Sequence, residues 1–71
     1  MYKWNIEITL KSGKTLSVFY KGPEINSGDV ANLVLKGGNY SMNGFLDRTG
    51  THNILVLVGE IAALDISECK E

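Results

Sequence analysis

Tyr2, Trp4, Ile6, Ile8 and Leu10 alternate with Lys3, Asn5, Glu7, Thr9 and Lys11, a strict period of two. That spacing belongs to a strand with one buried face, because successive side chains leave a pleated backbone on opposite sides. The alternation resumes after Lys11-Ser12-Gly13 at Leu16, Val18 and Tyr20, which makes the first twenty residues a hairpin. Its register follows from the apolar faces. A two-residue loop at Ser12-Gly13 sets Ile8 opposite Ser17 and misaligns them. A three-residue loop, Lys11-Ser12-Gly13, sets Leu10 opposite Lys14, Ile8 opposite Leu16, Ile6 opposite Val18 and Trp4 opposite Tyr20. It also puts Gly13 at the third loop position, where a bulged turn takes a left-handed backbone. The second register is the expected one, with Trp4 and Tyr20 packing at the open end.

Gly22-Pro23 ends the hairpin. Asn26 or Ser27 can cap a short helix, with Asp29 near its positive end. Val30, Leu33 and Val34 share a face at helical spacing, and Lys36-Gly37 supplies a stop. Tyr40, Met42 and Leu46 suggest a third strand, with Gly44 as a bulge. Arg48-Thr49-Gly50-Thr51 reads as a turn. The run Asn53 to Val58 is apolar on both faces, which marks a central, doubly covered strand with Leu55 and Val56 both buried. Gly59-Glu60-Ile61 breaks it, and Leu64 and Ile66 alternate with Asp65 and Ser67 in a last strand. The expected fold is α+β: a five-stranded, bent antiparallel sheet or small open barrel, in the order β-β-α-β-β-β, with one short helix.

With 71 residues, the chain has room for one domain, residues 1–71. Apolar residues at 44% and charged residues at 21% match a globular chain. Leu, Ile, Val and Phe number 8, 6, 5 and 2, a small core for which oligomerisation or a partner would add stability. The net charge of −1 disfavours nucleic acid as a partner, since phosphate neutralisation calls for a basic excess. Charge is uneven, +2 over residues 1–36 and −3 over residues 37–71. Cys69 is the single cysteine, which removes internal disulfides and suits a reducing cytoplasm. Met1–Leu10 lacks the continuous apolar run of a signal peptide, and no membrane contact is expected.

Catalysis needs a nucleophile or base and a group that orients it. His52 is the single histidine, with no second ligand or base at recognisable spacing, so no catalytic residue, metal or cofactor is assigned. Lys36-Gly37-Gly38-Asn39 follows a helix, where the negative dipole end opposes phosphate, and capping is the simpler role. Lys36, Asn39, Asn43, Arg48 and His52 remain loop candidates for a small anionic nucleotide held at a subunit boundary. Phe19 and Phe45 fall on the polar phase of their strands. Each either sits beneath the helix or forms an interface, and the latter favours a homo-oligomer.

The segments WNIEITLKSGKTL, NSGDVANLVLKGG and NILVLVGEIAALDIS resemble, over the whole chain, a group of very short proteins encoded by phages and prophages of Gram-positive bacteria. The resemblance implies a cytoplasmic protein made during infection. Many such proteins antagonise host defence by binding, some to a defence protein and others, as oligomers, to a nucleotide signal. The expectation is a non-catalytic binding protein that captures a host molecule. The alternatives are a structural or accessory phage component without a ligand, and a small enzyme using His52.

Overall fold

The computed structural model describes residues 2–47 and 49–69. Five strands and one α-helix follow in the order β1 (Tyr2–Leu10), β2 (Thr15–Gly22), α1 (Ser27–Val34), β3 (Met42–Asp47), β4 (Asn53–Leu57) and β5 (Ile61–Glu68). A 3-10 turn, Val58–Glu60, links β4 to β5 where the sequence suggested only a break. The fold is α+β, and its sheet is antiparallel and open, with strand order β4-β3-β2-β1-β5.

The first hairpin has the three-residue register. Ile8 faces Leu16, Ile6 faces Val18 and Trp4 faces Tyr20. Leu10 N–H donates to Lys14 O and Gly13 N–H to Leu10 O, both at 2.8 Å. Gly13 sits at φ +92°, a left-handed backbone that costs glycine little. Trp4 is buried and its indole N–H donates to Glu24 O at 3.2 Å. Tyr20 OH donates to Glu24 Oε1 at 2.9 Å. The chain leaving β2 is thus pinned to the open end of the hairpin.

β4 and β5 are the outermost strands, yet only Val58–Glu60 separates them along the chain. Four steps across a flat sheet span about 19 Å, whereas the four residue steps from Leu57 to Ile61 reach at most about 14 Å. The sheet therefore curls at this end. Lys11 N–H donates to Glu60 O at 2.8 Å, and Gly59 N–H to Asn39 O at 3.0 Å, so the corner is tied to both neighbouring loops. β5 changes register beside Thr9 and Leu10, where β1 meets the corner.

The helix closes the concave side. Asn26 caps it, accepting from Asp29 N–H at 2.9 Å. Val30 and Val34 are fully buried against Trp4, Ile6, Ile8, Val18, Phe45 and Val56. Leu33 lies at the rim of this face, 37% exposed. The β2–β3 ladder consists, among the described residues, of Val18 with Asp47 and Phe19 with Leu46. Beyond those pairs the β3–β4 hairpin splays from β2.

Three sequence expectations are corrected here. The run from Asn53 is an edge strand, not the central one. Leu55 is 64% exposed, while Val56 is buried. An apolar run cannot distinguish two covered faces from one covered and one open. Gly44 pairs regularly with Leu55 and forms no bulge. The phase of β3 is also reversed: Phe45 is in the core at 8% exposure, while Met42 and Leu46 face outward at 59% and 48%.

Truncation should separate the faces. Ile6→Ala, at a fully buried position, should cost about 2–5 kcal/mol in urea unfolding. Leu55→Ala should change stability by less than ~0.5 kcal/mol. The corner has its own test. A Cβ on Gly59 would lie 2.6 Å from the backbone oxygen of Asn39, and Gly59→Ala should cost about 1–3 kcal/mol through overpacking.

Candidate functional site

The chemistry-bearing side chains gather around the β3–β4 hairpin, in two groups at its opposite ends. Asn43 and Asp47 stand four residues apart on β3, about 13 Å along a strand. At the Asn43 end, Asn43 Nδ2 donates to Val34 O at 2.7 Å and to Lys36 O at 3.4 Å. Val34 O is a carbonyl that the end of α1 leaves without an intrahelical donor, and Lys36 O lies just beyond it. Asn43 therefore occupies the inward phase of β3 as a cap for the helix. With Lys36 it borders a cleft of about 250 Å³ that Tyr20, Val30, Val34 and Phe45 line. Asn39 lies in the preceding loop with an exposed side chain, its carbonyl taken by Gly59.

At the other end Asp47 organises the turn. Thr49 Oγ1 donates to both of its carboxylate oxygens, at 2.9 and 3.0 Å. Thr51 N–H and His52 N–H donate to Oδ1 at 3.1 and 3.4 Å. His52 Nδ1 lies 3.1 Å from Oδ2 and 2.8 Å from Thr51 Oγ1. An ionised carboxylate only accepts, which sets the proton order. Nδ1–H points to Asp47 and Thr51, Thr51 donates across 2.6 Å to Thr49, and Thr49 donates to Asp47. Burial pushes the Asp47 carboxyl up, but these donors outweigh it and hold its pKa at about 2. The imidazole itself is 77% exposed.

Asp47 is the orienting partner for His52 that spacing did not reveal. Its signal was Asp47-x-Thr49-Gly50-Thr51, a pattern in which an aspartate accepts from the turn that follows it. An oriented imidazole is one part of acid–base machinery. Among the described residues, no cluster of three or more His, Cys, Asp and Glu is placed to hold a metal ion.

The outer face of the sheet carries a second cleft, about 210 Å³, lined by Lys3, Phe19, Lys21, Leu46 and the start of the Asp47 loop. Lys3 and Lys21 are directly opposed across β1 and β2. Like charges so placed repel. Lys3 Nζ instead lies over the Phe19 ring, 4.4 Å from its centroid, a cation–π contact. The register alone puts Lys3 diagonal to Phe19, so this pairing was legible in the sequence although neither lysine was singled out.

The four loop candidates among the described residues do not converge within one chain. Lys36, Asn39 and Asn43 lie near the end of α1, and His52 lies at the tip of the β3–β4 hairpin. Arg48 falls outside the described residues. Of the two interface candidates, Phe19 is half-buried on the outer face, while Phe45 is committed to the core of its own chain.

The Asp47 network predicts acid sensitivity. Its folded pKa lies below the ordinary aspartate value, so its contribution is complete above about pH 4 and is lost as pH falls towards 2. The Tm of wild type should fall over that window, and Asp47→Asn should flatten the dependence while lowering Tm at neutral pH. Equal slopes for the two proteins would remove Asp47 as the cause. In comparisons with protein-family models, curated proteins and solved structures, nothing matches this chain.

Proposed function

We propose that the chain is a non-catalytic binding protein, of the kind phages direct against bacterial defence, which captures a host protein on the outer face of its sheet. The observation that carries this reading is the exposure of Met42, Leu46 and Leu55 at 59%, 48% and 64% on one face, beside Phe19. Contiguous apolar side chains on a soluble surface mark contact sites, especially with a polar rim. Lys3 and Lys21 supply such a rim and favour an acidic, apolar partner surface. The association with phage anti-defence comes from the sequence resemblance.

Capture of a nucleotide signal is the second reading, supported by two ammonium groups beside an aromatic ring. Size counts against it at the outer face. The outer cleft of about 210 Å³ is smaller than the ~300–1,000 Å³ of most ligand pockets. It takes one partner side chain more readily than a whole nucleotide. No described helix is long and apolar enough to cross a membrane.

Native mass spectrometry of the tagged protein from a bacterial lysate tests this reading. Wild type should retain a protein species. Leu46→Glu, at an exposed position, should stay folded and lose it by roughly thirty-fold in affinity, as for removal of a ~2 kcal/mol hot spot. Retention unchanged in Leu46→Glu would refute the outer-face site. A retained nucleotide would favour the second reading, and an empty chain the accessory role.

A further inference from the structure

We infer that two copies of this chain pair edge to edge through β4, antiparallel about a two-fold axis at Leu55. β4 is hydrogen-bonded to β3 on one side and ends the sheet on the other. Val58 N–H donates to Ser41 O and Asp47 N–H to His52 O, both at 2.9 Å. In an antiparallel ladder such bonds fall on alternate residues. Ile54 and Val56 therefore turn their peptide groups towards β3, and Asn53, Leu55 and Leu57 turn theirs to the open edge.

Open edges are normally defended by charge, proline or a bulge. Asn53–Leu57 contains no charged residue and no proline, and it pairs with β3 without a register shift. The opposite edge, β5, is defended three times over. It carries Asp65 and Glu68, it shifts register beside Leu10, and α1 packs against it. Two β5 edges brought together would oppose carboxylates.

A second copy fits the β4 edge with no charge penalty. The two-fold operation sets Leu55 against the partner's Leu55 and Asn53 against the partner's Leu57. Each copy's His52 end then lies beside the other's uncharged Val58 end, so no like-charged pair is created. The outward Leu55 side chains become cross-strand neighbours, about 5.5 Å apart at Cα, and cover one another. Pairing of five-residue strands buries less than the ~1,200 Å² of a tight interface, so the dimer is reversible, with dissociation on the order of micromolar.

Sedimentation velocity of the full chain from about 1 to 500 µM brackets that range. Wild type should pass from monomer to dimer. Leu55→Pro removes an N–H that the chain itself does not use, so circular dichroism should show a folded protein that stays monomeric. Leu55→Lys keeps the N–H but places two ammonium groups together, and should weaken the dimer at least ten-fold. If Leu55→Pro does not fold, Leu55→Lys decides alone. A monomer throughout overturns the inference. So does a dimer that survives in a folded Leu55→Pro protein, which would place the contact on the side chains of the outer face. These measurements need no host partner, so their failure leaves the capture reading untouched.

Discussion

The short connection between the two outermost strands governs this molecule. Three residues join β4 to β5, and they cannot span a flat sheet of five strands. Curling follows from chain length alone. The concave side that results is narrow enough for one eight-residue helix to close it. Val30 and Val34 can then touch strands from across the sheet. β3 parts from β2 beyond Val18 and Phe19, and the cleft beside Asn43 is lined by Tyr20 of β2 together with Asn43, Gly44 and Phe45 of β3.

Polar residues on the inner phase of β3 explain where the sequence was readable and where it was not. β1 and β2 alternate with Phe19 as the one apolar residue on the outer phase, and their inward phase is apolar throughout, so their register was legible residue by residue. β3 places Asn43, Phe45 and Asp47 inward. Asn43 satisfies the helix end and Asp47 builds the turn, so two of three inward residues are polar for reasons outside the strand. Met42 and Leu46 then mimic a buried phase while facing outward. The run of β4 misleads in a related way. Its inner residues, Ile54 and Val56, pack in the core or against it, but Leu55 and Leu57 lie on the outer face.

The site was legible in proportion to how local its contacts are. That Asn26 or Ser27 caps the helix followed from spacing within a few residues, and the structure has Asn26. The link between Asp47 and His52 crosses only five, but it needs the turn to fold back on its own aspartate. Lys3, Phe19, Lys21 and Leu46 come together from three strands. The hairpin register brings the first three into reach, whereas Leu46 depends on which strand docks beside β2. The outer face thus joins apolar side chains to two ammonium groups without closing a ligand-sized cavity. That balance favours a broad contact over an enclosed one.

Placement of β5 against β1 has a consequence for how the chain reaches this structure. The β1–β2 hairpin is local and can form as soon as it is made. The other edge of β1 waits for residues 61–68, the last strand to appear. In that interval Trp4, Ile6 and Ile8 have one strand beside them instead of two, and an unpaired edge next to an apolar face is what drives misassociation during folding. Pairing of β5 is what covers that edge, and synthesis from the N-terminus leaves Trp4, Ile6 and Ile8, among the most buried residues at the end, among the first to be exposed.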